Sequence, residues 1–221
     1  MAQRPVSRYE WRVNSRKYVL VASVAISVAA LDQWTKFIVL DELTTALDGA
    51  TTTGERLSRY FGDAPKALPF GNHYGHKRTV TVSEDFLRLR YAENPGAAFG
   101  ILRNVPDNVR GPLFHAISWG AVILILSYVS KLTGKDPKEV WALWGLPLVL
   151  GGAVGNYIDR LSRGFVIDFL EAHWFDNANL IWPSFNVADS AICVGVGLLI
   201  IDSFVRKELP KASPTHASSP V

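Results

Sequence analysis

The sequence predicts an α-helical membrane protein with four transmembrane helices, and three observations predict it. Apolar stretches of bilayer-spanning length recur along the chain, basic residues collect at their ends, and the acids near membrane depth gather at one level. Of 221 residues 48% are hydrophobic, and the mean hydropathy of +0.13 exceeds what one soluble core of this size needs.

Arg4, Arg8, Arg12, Arg16 and Lys17 lead into the apolar stretch 18–40. A cleaved signal peptide also has a basic flank. Here, however, FIVL resumes after Asp32, Gln33 and Lys36, giving 23 residues, enough for about 30 Å of hydrocarbon. Residues 111–130 carry no formal charge and are followed by Lys131, Lys135 and Lys138, which makes them the second span. Residues 140–158 form the third, with Trp141 and Trp144 as interfacial anchors. The charge-free part of 186–204 covers only 190–201, but the flanking Trp182, Arg206 and Lys207 mark a fourth span.

Between the first two spans, 41–80 is rich in Thr, Gly and charge, with helical tendency over 55–61. In 86–91, Leu87, Leu89 and Tyr91 alternate with Arg88 and Arg90, as a half-buried strand does. The turn ENPGAAFG follows. Four spans put both termini on one side, together with the short basic segments 1–17, 131–138 and 206–211, so that side is expected to be cytoplasmic. The expected organisation is a cytoplasmic basic N-terminus over 1–17, a four-span unit over 18–205 with an extended extracytoplasmic insertion at 41–85, and a disordered cytoplasmic tail over 206–221.

The net charge of +3 and pI near 9.0 reflect charge at segment ends rather than a basic face, which argues against a nucleic-acid partner. Cys193 is the lone cysteine, so there is no disulfide framework or zinc knuckle.

Candidate chemistry lies in 151–190. Helical rise places Asp32 roughly 22 Å beyond Lys17, near the level where the third span ends in Asn156, Asp159 and Arg160 and the fourth begins with Asn186 and Asp189. Asp168 sits among Phe165, Val166, Ile167 and Phe169 after Gly164, so the chain is expected to turn back and bring Asp168 to Asp189. Two carboxylates sharing a poorly hydrated site hold a proton between them. One then activates water while the other protonates a carbonyl oxygen. Asp159, beside Arg160 and four residues before Arg163, is expected to be an ion-pair partner rather than a catalyst. Gly151, Gly152 and Gly155 suit close helix packing. The same acids also admit a proton-coupled transporter using Asp32, Asp159 and Asp189, or a metalloenzyme using Asp168, His173 and Asp189. For the latter no HExxH spacing occurs, and His73 and His76 lie in the variable loop. No metal and no cofactor are expected.

Five motifs in order carry a resemblance: DQWTK at 32–36, NPGAAFG at 94–100, GGAVGNYIDR at 151–160, GFVIDF at 164–169 and FNVADS at 185–190. Over 18–205 the chain resembles the lipoprotein signal peptidases, or signal peptidase II. The resemblance implies Asp168 and Asp189 as the catalytic pair. It implies Asn94, Gly96, Gly152, Asn156, Arg160 and Asn186 as residues of the substrate groove and dyad surround, Arg160 holding a substrate carbonyl. Asp32 and Lys36 match a supporting motif whose i, i+4 spacing permits pairing. The implied fold adds an extracytoplasmic β-cradle, including 87–99, and a short interfacial helix within 170–182. The implied substrates are diacylglyceryl-modified prolipoproteins, cut before the lipidated cysteine at the outer face of a bacterial inner membrane; a monomer in membrane lipid suffices for that chemistry. The 41–85 stretch is longer than that family's usual connection and is expected to form a lid or partner surface.

Overall fold

The computed structural model describes residues 8–62, 72–96, 105–175 and 180–207. Five α-helices are described: α1 (Arg8–Leu43), α2 (Thr53–Phe61), α3 (Asp107–Lys131), α4 (Val140–Arg163) and α5 (Val187–Lys207). Three strands, β1 (Val80–Ser83), β2 (Leu87–Asn94) and β3 (Val166–Ala172), form one antiparallel sheet in the order β1-β2-β3. Four helices are long and apolar enough to cross a bilayer, within Ser15–Leu43, Asn108–Lys131, Pro137–Arg163 and Val187–Arg206. The protein is an integral membrane protein.

α4 is the hub, packing against α5, α1 and α3. Its glycines set the approach distances. A Cβ on Gly152 would collide with the Ala188 carbonyl oxygen of α5, and one on Gly151 would stand 2.7 Å from that of Ala25 in α1. Neither neighbour is a flexible side-chain tip, so the helix itself must move to admit a methyl. Gly152→Ala is therefore expected to destabilise the bundle by about 1–3 kcal/mol, seen as a lower thermal midpoint in detergent. An unchanged midpoint would show that α4 and α5 do not pack this closely.

Two cores result. Val21, Ile125, Val129, Leu132, Ala142 and Leu146 fill the space between the spans. At the other end of the bundle, Val39, Leu40 and Leu43 of α1 meet Tyr60 of α2, Tyr91 of β2, and Phe165, Ile167 and Phe169 from the β3 segment. The last turns of α1 thus serve the sheet, which is why the helix outruns its apolar stretch.

β3 arises where Gly164 takes φ of 79° and ends α4. A left-handed residue reverses the chain at little cost only for glycine. The returning strand pairs with β2, placing Asp168 opposite Ala92 and Val166 opposite Asn94. The expected reversal near Asp168 occurs, as a strand. In β2 the alternation from Leu87 to Tyr91 is interrupted by a register shift between Leu89 and Ala92.

Among the described residues of 170–182, where the resemblance implies a short helix, none is found. The described residues there are strand through Ala172 and then the bridge His173↔Ile181, while 176–179 lie outside the described residues. A short helix, α2, lies in the insertion. Its N-terminus is set by a capping box, with the Thr52 hydroxyl accepting from the Glu55 amide and the Glu55 carboxylate reaching back. Residues 72–76 also join the second core: His76 bridges Thr44, while His73 pairs with Glu93 and stacks on Phe165 at 5.2 Å. The expectations for 1–7, 97–99 and the tail beyond 207 lie outside the described residues.

Candidate active site

Asn186, fully buried, stands before the first turn of α5, and its side-chain oxygen accepts from the Asp189 amide at 2.9 Å. Asp189 Oδ2 accepts from the Asn186 amide at 3.3 Å in return. This is a capping box in N-x-x-D form, and it seats one aspartate at a helix N-terminus. Asp168, on β3, is the second. The Asn186 Nδ2 donates to Asp168 Oδ1 at 2.7 Å, and Asn94 Nδ2 donates to Oδ2 at 3.1 Å. One asparagine therefore touches both acids, through its side chain on one and its backbone on the other. Burial first, and the neighbouring Asp189 second, push the Asp168 carboxyl up to about 8.

Asn156 of α4 completes the ring. Its Nδ2 donates to Asp189 Oδ1 at 2.8 Å, and its Oδ1 accepts from Asn186 Nδ2 at 3.0 Å and from Lys36 Nζ at 3.1 Å. Two donors on the oxygen leave the NH2 group facing Asp189.

Beneath this ring lies a buried cluster of four charges. Lys36 Nζ is 2.7 Å from Asp32 and 2.8 Å from Asp159, and Asp159 also holds Arg163 at 2.9 Å. Lys36, Asp32 and Asp159 have no exposed surface. Two acids and two bases cancel, which is the condition for keeping charge out of water. Each acid also holds a backbone amide: Asp32 accepts from Ala188 at 3.0 Å and Asp159 from Ile167 at 3.1 Å. The cluster thus grips the residues that precede Asp189 and Asp168.

Asp159 pairs with Arg163 and Lys36, and Arg160 points elsewhere. Its guanidinium lies 4.3 Å over the Phe114 ring, donates to the Gly96 carbonyl at 3.4 Å, and leaves Nε without a hydrogen-bond partner among the described residues. The Gly96 amide is held by Asn94 Oδ1 at 3.1 Å. Gly152 sits on the α5-facing side of α4, against Ala188.

His173 lies five residues past Asp168, about 16 Å along the strand direction, with Nδ1 3.1 Å from the Phe175 oxygen. Among the described residues no group of three His, Cys, Asp or Glu side chains is placed to share a metal. Sequence reasoning missed Gln33, whose Nε2 donates to Asp159 at 3.0 Å and to the Gly155 oxygen at 3.1 Å. Its place inside DQWTK was the available signal. An apolar groove of about 570 Å³ between α1 and α3, floored by α4, is rimmed by Gln33, Trp119 and Tyr157.

Residues 24–205 match the family described as Signal peptidase (SPase) II. The lipoprotein signal peptidase of Anaeromyxobacter sp. (strain Fw109-5) is 38% identical over 203 residues, covering 89% of this chain and 90% of its own. That of Syntrophotalea carbinolica is 45% identical over 122 residues, covering 55% and 71%. Among solved structures, a bacterial membrane enzyme determined in meso at 2.3 Å superposes with a TM-score of 0.60 at 24% identity, over 87% of this chain and 92% of that one, which shows a common fold. A second, at 1.9 Å, gives 0.50 at 26% identity, covering 82% and 90%. With its four spans, its small sheet and a family match over most of its length, the chain belongs to the signal peptidase II family.

Proposed function

We propose that this protein removes the signal peptide from diacylglyceryl-modified prolipoproteins as an aspartic endopeptidase, with Asp168 and Asp189 as the dyad. The observation that carries the reading is the single buried asparagine, Asn186, bonded to both acids at the end of the bundle. Asp168 keeps the shared proton, because burial favours its neutral form up to about pH 8. Asp189 stands in the first turn of α5, where helix amides favour a negative charge.

Asp189 takes a proton from water, whose oxygen forms a bond to the carbonyl carbon before the lipidated cysteine. Asp168 gives its proton to the carbonyl oxygen. Collapse of the tetrahedral intermediate breaks the C–N bond, the nitrogen takes the proton held by Asp189, and the carbonyl oxygen returns its proton to Asp168. Asn94, Gly96, Asn156 and Asn186 hold the reacting groups in place, and Arg160, whose Nε has no hydrogen-bond partner among the described residues, holds a substrate carbonyl. Gly152 keeps α4 and α5 close enough for Asn156 to reach Asp189. Asp32, Lys36 and Asp159 support the site from below. Residues 18–205 make up the peptidase unit, a monomer suffices, and the sheet end of the bundle faces outward from a bacterial inner membrane, with both termini cytoplasmic.

The transporter alternative is disfavoured because Asp32 and Asp159 are locked in ion pairs rather than strung along a path. Purified protein is expected to cleave a diacylglyceryl-modified precursor with or without chelator. Its rate is expected to fall as pH rises through about 8, where Asp168 loses the proton that it must donate. Loss of cleavage in chelator, or a rate that climbs between pH 8 and 10, would overturn the metal-free dyad.

A further inference from the structure

The insertion at 41–85 reaches the candidate site. α2 runs back along the end of α1: Arg56 pairs with Asp41 at 2.8 Å, and one helical turn on, Tyr60 meets Phe37 at 5.4 Å between ring centroids. The Tyr60 hydroxyl donates to the Gln33 carbonyl at 2.9 Å. Its ring lies 4.1 Å from the Arg163 guanidinium, and its backbone oxygen accepts from Arg163 Nη2. Tyr60 is itself 1% exposed, whereas Leu57 and Phe61 on the same helix are 46% and 47% exposed. The helix is therefore inserted chiefly through this one side chain.

What Tyr60 covers leads in two directions. Arg163 holds Asp159 at 2.9 Å. Asp159 holds the Ile167 amide at 3.1 Å, one residue before Asp168. Asp159 also holds Lys36 at 2.8 Å, Lys36 holds Asn156 at 3.1 Å, and Asn156 holds Asp189 at 2.8 Å. Both aspartates thus hang from a charge cluster whose outer member, Arg163, is 3% exposed with the Tyr60 ring in place. Without that ring the guanidinium gains access to solvent, and its grip on Asp159 competes with hydration.

We propose that Tyr60, carried by the insertion helix α2, is a positioning residue: it seals the Asp32–Lys36–Asp159–Arg163 cluster and so holds Asn156 and Ile167, and through them the two aspartates, in register. This rests on the dyad reading above. The insertion is then part of the catalytic scaffold rather than a detachable lid.

The test measures kcat and KM of the full-length protein on a diacylglyceryl-modified precursor, normalised to folded protein, for Tyr60→Leu, Tyr60→Phe and the exposed control Leu57→Ala. Tyr60→Leu is expected to lower kcat about tenfold or more, with KM within about twofold, because displaced catalytic groups cost rate rather than affinity. Tyr60→Phe, which keeps the ring over Arg163, recovers most of that loss, and Leu57→Ala behaves as wild type. Wild-type kcat per folded molecule in Tyr60→Leu would overturn the inference, as would equal losses in Leu57→Ala. Should Tyr60→Leu not fold, Arg163→Lys loosens the same contact while keeping the charge, and a wild-type kcat there overturns the inference equally. Asp168→Asn, assayed in parallel, separates the two levels. If it still cleaves, the dyad reading fails and takes this inference with it; if it is inactive while Tyr60→Leu turns over normally, only the role of Tyr60 fails.

Discussion

Asp168→Asn and Asp189→Asn are each expected to lower kcat for precursor cleavage by about 10³- to 10⁴-fold while the protein stays folded. The substitutions are isosteric, so the packing around the dyad survives. The chemistry does not. An amide at 168 has no acidic proton to give the carbonyl oxygen, and an amide at 189 cannot accept one from water. Asn186 stays bonded to whichever oxygen remains, so KM moves little. Asp168→Asn also carries a signature in stability, because burial pushes the native Asp168 carboxyl up to about 8. The native state then binds more protons than the unfolded chain between the ordinary carboxyl range and pH 8. Stability from this group is present at low pH and is lost as pH rises through that window. Asp168→Asn escapes the loss, so it should unfold at a higher temperature than wild type at pH 9 and near the wild-type temperature at pH 4. A variant with near-normal turnover, or one less stable than wild type at pH 9, would contradict the assignment. Thermal midpoints in detergent and single-turnover cleavage decide both points.

The sequence made the meeting of these groups legible, and the reasons are specific. Asn156 and Asp159 end one span while Asn186 and Asp189 begin the next, so antiparallel spans alone bring them to one depth. Gly164 signalled the reversal that returns Asp168. The strand after it was hidden, because Val166 to Phe169 are all buried and show no alternation. Its partner β2 also lies far earlier in the chain, Val166 pairing with Asn94 and Ala172 with Leu87, a pairing that no local pattern encodes. The triple contact of Lys36 was half visible: the i, i+4 pair with Asp32 follows from spacing, whereas Asp159 and Asn156 approach from another helix. Tyr60 could not be singled out by hydrophobic periodicity, since its role depends on α2 docking against α1 and on Arg163 lying beneath its ring. The start of α2 was legible in the T-x-x-E run at 52–55, which marks a helix start in the insertion.

The charge cluster makes the second large prediction. Lys36→Met is expected to destabilise the protein by about 3–5 kcal/mol, although methionine nearly fills the vacated volume. Packing is not what Lys36 chiefly supplies. Its ammonium faces Asp32 and Asp159, neither of which has any exposed surface, and Arg163 alone cannot neutralise both. Removing one base leaves a buried carboxylate that must either stay charged without a partner or take up a proton. The damage also travels upward. Asn156 Oδ1 loses one of its two donors, so its amide is freer to turn its oxygen toward Asp189, where a donor is needed. Stability and turnover should therefore both fall, and a second substitution separates them. Adding Asp32→Asn to Lys36→Met removes one stranded charge and is expected to recover much of the lost thermal midpoint. It does nothing for Asn156, so cleavage stays depressed. If the double variant regained activity along with stability, Lys36 would matter only as a counter-charge. If Lys36→Met unfolded at the wild-type midpoint, the cluster would not be holding this end of the bundle together.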